Sequence, residues 1–404
     1  MGARPRQERS RGGRHAPHRD GTGGRIVKAG LFFEPGTLPP ETEQLRREVR
    51  DFLAVEQASG GFTPVSDSWV SGADPAFSRK LGERGWLGMA VPKEYGGAER
   101  TALERFVVIE ELLAAGAPVA AHWIADRQIA PALLQHGTED QKQRFLPGIA
   151  SGRTLFAIGL SEPDSGSDLA SVRTKATRTE GGWLVEGTKI WTTGAHLAHA
   201  VVALVRTGPA GESRHEGLSQ MIVTLPDDGV EIRPIRSLDG GHHFNETVFT
   251  GAFVPDDMVL GTIGNGWRQV TGELAYERSG PERFLSTALL LRLLAARDDA
   301  DPRVVGALTA RLWTLRQASI AVAVQLSQGA APDTEAAVVK DLGTRFEREV
   351  IDAARATGVH PDLASADPFT RILAESVVRA PGGTLRGGTN EILRGIIARA
   401  LGVR

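Results

Sequence analysis

The apolar residues of this 404-residue chain change their spacing twice, and the two changes restrict its fold more than any single motif. From Glu41 to about Gly152 they repeat as on one face of a helix, with Leu45, Val49, Phe52 and Leu53 at i, i+4, i+7 and i+8. Between Leu155 and about Gly261 this gives way to short runs rich in β-branched residues: "WLVEG", "AVVALV", "QMIVTL", "VEIRPI" and "ETVFTGAFV". Gly, Pro and Asp punctuate them, which predicts a small antiparallel β domain. From Trp267 helical spacing returns in "LSTALLLRLLAA", "ASIAVAVQL" and "ILRGIIARAL". The order α, β, α predicts an α+β multidomain chain: an N-terminal helical domain over 38–154, a β domain over 155–262 and a C-terminal helical domain over 263–404. Thr138 and Gln141 form a capping-box pattern, and Pro147 is expected to end the helix that follows.

The first residues stand apart. Residues 1–28 carry seven Arg and one Lys against Glu8 and Asp20, a net +6, which leaves −8 on the remainder of a chain whose total is −2. Without apolar periodicity, residues 1–37 read as a disordered basic tail. The "GTGG" at 21–24 follows no strand and is no phosphate loop. With so small a net charge no global field favours nucleic acid or a membrane. There are no cysteines, so disulfides, thiolate catalysis and thiolate metal sites are excluded, in keeping with a cytoplasmic chain. No apolar run reaches the ~18 residues of a membrane span. His242 and His243 are adjacent and point different ways, so no metal site is expected. GxGxxG after a strand, GxxxxGK[ST] and GxSxG are all absent, which argues against a Rossmann site, nucleotide hydrolysis and a nucleophile elbow.

Chemistry concentrates in "FAIGLSEPDSGSDLASVRTKA", 156–176, and "GTKIWTTGA", 187–195. The first offers hydroxyls and free backbone N–H groups on a Gly-bearing turn, suited to a phosphate or a ring with hydrogen-bonding edges. The second sets the flat face of Trp191 beside Thr192 and Thr193. The alternative reading is a polar loop and a core tryptophan.

Together with "RGWLGMAVPKEYGG" (84–97), "HGTEDQKQRFLPGIASG" (136–152), "HFNETVFTGAFVPDDMVLG" (243–261) and "GGTNEILRGIIARALG" (387–402), these stretches make residues 38–404 resemble the acyl-CoA dehydrogenase family, closest in style to bacterial members acting on bulky thioesters such as steroid side chains. The resemblance implies a helical domain, a β domain and a C-terminal four-helix bundle, with FAD as cofactor. It implies flavin contacts from Ile158, Leu160, Ser161, Ser167, Trp191, Thr192 and Thr193, and cofactor contacts from Thr389 and Glu391. It further implies an acyl-CoA thioester as substrate, electron-transfer flavoprotein as acceptor, and a tetrameric enzyme of lipid metabolism.

The reaction needs a base for the α-proton, donors for the thioester oxygen and a hydride acceptor at the β-carbon. In many relatives the base is a glutamate directly before the Gly-Thr of the final motif. Here that position is Gly387, which can offer only a backbone N–H. A subset of the family places the glutamate on an earlier helix in a Leu-x-x-Glu-Arg pattern, and "LAYERSG" (274–280) matches it. The resemblance therefore makes Glu277 the expected base, with Arg278, Ser167 and Gly387 at the substrate. An Arg-x-x-Phe-Gly for the neighbouring subunit's FAD diphosphate is missing from "LLAARDDADPRVV", and a Gly-Gly segment for the adenine end is missing near "ARATGVHPDLASADP". Such shortened chains resemble relatives that form mixed tetramers, so a homo-oligomer and a hetero-tetramer with a homologous chain both stay open. A half-site or non-catalytic subunit, and an oxidase or flavin monooxygenase on the same fold, are the alternative functions.

Overall fold

The computed structural model describes residue 33 and residues 36–403 except 210 and 331; the side chains of residues 273–277 and 279 lie outside the described set. Most of the basic tail, including 21–24, therefore falls outside it.

The N-terminal region is helical: α1 (Glu41–Ala58), α2 (Ser68–Ser71), α3 (Pro75–Glu83), α4 (Ala102–Ala114), α5 (Ala120–Ile124), α6 (Ala130–His136) and α7 (Glu139–Ala150). The residues spaced for burial on α1 are buried, against α4 and α3. The capping box at Thr138 forms: its hydroxyl accepts from the Gln141 N–H at 3.2 Å, and the Gln141 side chain accepts in return from the Thr138 N–H. Gln141 Nε2 also donates to the carbonyls of Asp257 and Val259, tying this helix to the β domain. Pro147 does not end α7, which runs on to Ala150. Proline removes only the bond to the carbonyl of Gln143, and Gln143 is exposed, where water can take that donor's place.

The central region holds one eight-stranded sheet: β1 (Phe156–Gly159), β2 (Lys175–Thr179), β3 (Gly182–Thr193), β4 (Ala200–Arg206), β5 (Leu218–Thr224), β6 (Val230–Ile235), β7 (Phe244–Pro255) and β8 (Val259–Leu260). The five expected runs all become strands. The sheet is not wholly antiparallel, because β1 pairs with β4 in parallel, Phe156 opposite Ala200. The long β3–β7 ladder slips by one residue between Lys189 and Thr192. That bulge places Trp191 in left-handed backbone conformation, φ 61°.

The C-terminal region comprises α8 (Gly266–Ser279), α9 (Ala288–Ala295), α10 (Pro302–Ser327), α11 (Asp333–Arg355), α12 (Pro368–Gly383) and α13 (Asn390–Ala400). Its core is continuous with that of the N-terminal helices: Leu45, Phe77 and Leu112 share one buried cluster with Leu290, Phe346 and Leu373. A second cluster fills the β domain and its contact with α6 and α7. Helix α8 starts on the sheet, where Gln269 Nε2 donates to Gln220 and to the carbonyl of Leu260. The helix thus carries residues 277 and 278 from the β domain into the helical core.

Candidate active site

The site is built from two structural groups. In the first, β1 ends at Gly159 and the chain turns sharply through Glu162–Ser165, whose N–H groups and carbonyls bond reciprocally. The buried Lys189 ammonium on β3 donates to the Leu160 carbonyl at 3.0 Å and to Glu162 at 2.8 Å. Glu162 also accepts from the N–H groups of Arg173 and Thr174. Burial pushes Lys189 down to about 8, against the opposing attraction of Glu162. Burial works to raise the Glu162 carboxyl, but Lys189 and the bonds from Thr174 and Arg173 outweigh it and hold it below its ordinary value. Next along β3, the Ile190 N–H donates to the Ser161 carbonyl at 2.9 Å. The serine loop and the tryptophan bulge are therefore one fixed unit.

Trp191 is 54% exposed and meets Phe244 edge-on. A core tryptophan is thus ruled out. Ile158, Leu160, Ser161 and Thr193 are half-buried and Ser167 is exposed, and the hydroxyls of Ser161, Ser167 and Thr193 make no hydrogen bond among the described residues. Thr192 differs. It is wholly buried, its hydroxyl has no partner among the described residues and its carbonyl accepts from Asn245, so its side chain turns away from the exposed indole.

The second group centres on the turn before α13. Gly387 and Gly388 both have positive φ, 66° and 91°. The half-turn is closed from two sides. Arg278 Nε on α8 donates to the Gly387 carbonyl at 3.0 Å. The ammonium of Lys340 on α11, fully buried, donates to the carbonyls of Gly388 at 2.8 Å and Thr384 at 3.3 Å and to Asn390 Oδ1 at 2.9 Å. The left-handed φ of Gly388 is one that side chains rarely adopt, and a Cβ there would also press on Arg278 Nη2 at 3.3 Å. Thr389 caps α13, its hydroxyl accepting from the Ile392 N–H. Glu391 is exposed, and its own backbone N–H together with Thr389 holds its carboxyl below the ordinary value, so it stays ionised on the helix surface. Glu277 lies on α8 next to Arg278; its side chain is outside the described residues.

Behind this turn lies a polar chamber that the sequence reading missed. Arg386 Nη1 donates to both carboxylate oxygens of Asp67, at 3.1 and 2.9 Å, and its guanidinium covers Trp69. Asp67 holds left-handed backbone, φ 52°. Glu347, which accepts from the Ser286 N–H, completes a void of about 20 Å³, room for about one water. The buried Arg386 Nε has no partner among the described residues. Burial raises Glu347 to about 7, reinforced by the Asp67 charge and opposed by Arg386.

These elements together match known proteins. The model of the acyl-CoA dehydrogenase N-terminal domain matches residues 39–153, and that of the middle domain of the same family matches 157–252. The chain is 33% identical to acyl-CoA dehydrogenase FadE29 of Mycobacterium tuberculosis over 89% of its own length and 96% of that protein's. The chain belongs to the acyl-CoA dehydrogenase family. It is also 33% identical to acyl-CoA dehydrogenase IpdE1 of the same organism, over 90% of this chain and 98% of that one. A solved structure described as the Tcur3481-Tcur3483 steroid ACAD superposes with a TM-score of 0.78 at 30% identity, covering 91% of this chain and 98% of that chain. As a member of this family the chain is an oxidoreductase acting on CH–CH bonds, and the family typically binds FAD. The residues present fit a flavin: an exposed indole in a bulge joined by the Ile190–Ser161 bond to the serine loop, with the hydroxyls of Ser161, Ser167 and Thr193 unpaired among the described residues, suits a flat ring with polar edges. Among the described residues no helix is long and apolar enough to cross a membrane, and among them no group of three His, Asp or Glu could hold a metal.

Replacing Lys340 by Met should leave the acceptors on the turn short of their donor, at about 1–3 kcal/mol for each one unsatisfied. Amide exchange at 387–390 should then rise at least tenfold relative to α4. Glu347 has a folded-state pKa above its unfolded value, so its contribution is fully present below about 4.5 and is lost as pH rises through about 7. Glu347→Gln should therefore be more stable than wild type at pH 8, by on the order of 2 kcal/mol. Denaturant unfolding of the variant should also show a flatter pH dependence between those two values.

Proposed function

We propose that this chain catalyses α,β-dehydrogenation of an acyl-CoA thioester, with Glu277 removing the α-proton and the Gly387 N–H donating to the thioester oxygen. Flavin, when bound, supplies the hydride acceptor for the β-carbon. Trp191, Ser161, Ser167 and Thr193 would hold its ring, with Thr389 toward the rest of the cofactor. The observation that carries the reading is the bond from Arg278 to the Gly387 carbonyl. It ties the residue beside Glu277 to the turn that in many relatives would itself hold the base. The bond holds the Gly387–Gly388 peptide and so anchors the glycine whose own N–H lies one peptide earlier; a donor on an anchored turn is what charge developing on an enolate oxygen requires. Glu391, exposed and held ionised by the helix N-terminus, is poorly suited to the same task.

A mixed oligomer is the favoured assembly. Helices α10, α11 and α13 leave Trp313, Leu342 and Ile392 exposed, and α9 and α10 are joined by only a short turn. Two similar structures, at 30% and 29% identity, are described by pairs of chain names, Tcur3481-Tcur3483 and the ChsE4-ChsE5 complex. Electron-transfer flavoprotein is the acceptor this reading implies.

Anaerobic mixing with acyl-CoA thioesters should bleach the bound flavin. Glu277→Gln should retain flavin and lose at least a thousandfold of the bleaching rate, as expected for loss of a general base acting in a fixed geometry. Bleaching at the wild-type rate would refute the base, and a homo-oligomer of this chain alone holding one FAD per subunit would refute the mixed assembly.

A further inference from the structure

A cavity of about 290 Å³ opens beside Thr193, between the end of β3, the N-terminal helices and α12. Part of its lining is apolar: Val70, Ala73, Ala120, Ala121 and Leu197. The rest of the wall is polar and carries Ser71, His196, Asp239, His242, His243 and Arg379. The Gly194 N–H donates to the His243 carbonyl at 2.8 Å, so this polar wall is joined directly to the strand end that bears Thr193. Arg379, on α12, lies on the helix that leads into the Gly387 turn.

The chemistry of the wall can be read from its hydrogen bonds. Asn245 Nδ2 donates to the Thr192 carbonyl and lies 3.1 Å from His196 Nδ1. An amide NH₂ facing that nitrogen makes Nδ1 an acceptor, so His196 is neutral with its proton on Nε2. Burial, then the neighbouring His242, lowers its pKa in the same sense. His196 Nε2–H is thus a donor. Arg379 is positive, but it is matched by Asp239 at 2.9 Å and Glu375 at 3.0 Å. Burial likewise lowers His243, so it too is neutral near pH 7. The wall holds donors and acceptors without surplus positive charge.

Resting on the dehydrogenase reading above, we propose that this cavity receives the far end of the acyl group and selects one bearing an uncharged hydrogen-bonding oxygen, a ketone or a hydroxyl. A purely alkyl group would strip water from His196, His242 and Ser71 and give nothing back, which costs affinity. A carboxylate would meet Asp239 and Glu375 behind a guanidinium already shared between them. An oxygen on a compact skeleton satisfies the polar wall while its carbons cover the alanines.

The test compares 3-cyclohexylpropanoyl-CoA with its 4-oxo, 4-hydroxy and 4-carboxy ring derivatives, by anaerobic flavin bleaching and by calorimetric binding to the flavin-loaded enzyme. The oxo or hydroxy thioester should exceed both the hydrocarbon and the carboxylate at least tenfold in kcat/KM and bind in the same order. His196→Leu should bring the oxygen-to-hydrocarbon ratio below threefold. Equal or greater rates with the hydrocarbon or the carboxylate overturn the proposal, as does a ratio unchanged in His196→Leu. If that variant does not fold, His242→Leu serves in its place under the same criterion. If only straight-chain acyl-CoAs bleach the flavin, the pocket assignment fails and the dehydrogenase reading stands; if no thioester does, both fail.

Discussion

A guanidinium on α8 donates to a glycine carbonyl 109 residues further along the chain, and the arrangement of the proposed site depends on that bond. It brings the helix bearing Glu277 against the turn that lacks a side chain of its own. Lys340 closes the turn from the opposite side, so the Gly387–Gly388 backbone is held by two buried cations. Buried cations are costly unless every proton finds an acceptor. Here the acceptors are main-chain carbonyls whose positions then become fixed. The cost of burial is thereby converted into geometric definition at the atoms that would meet the thioester.

The β domain uses the same device. Lys189 is buried beneath the sheet with Glu162, and between them they fix both ends of the serine loop. The Ile190–Ser161 bond then locks that loop to the bulge that turns Trp191 outward. An exposed indole in left-handed backbone is an unfavourable arrangement for folding alone. Its presence beside unpaired hydroxyls is what a flavin-binding surface requires.

The three-part architecture was legible because apolar periodicity depends on few residues at a time. The strand runs and the Thr138 capping box could both be read locally. What escaped was set by tertiary context. Pro147 sits within a helix because its lost bond faces water. Strand β1 was hidden in a Gly- and Ser-rich stretch, and its parallel partner lies over forty residues away. The bulge at Trp191 leaves no mark in the alternation of β3. Lys340 and Lys189 drew no assignment from the sequence, though their positions held a clue. Ala336 and Thr344, at i−4 and i+4 from Lys340, are both buried, and Lys189 shares the inward face of β3 with Val185. The Asp67–Arg386–Glu347 chamber joins three distant segments and gave no sequence signal.

The central claim is that proton removal belongs to α8 and not to the C-terminal turn or to the surface acid beyond it. It is tested most directly by α-proton exchange into D₂O from an acyl-CoA bound to enzyme whose flavin has been reduced beforehand, so that proton transfer is followed without oxidation. The account predicts exchange in wild type and in Glu391→Gln and its loss in Glu277→Gln. Persistent exchange in Glu277→Gln, or its loss in Glu391→Gln, would contradict it.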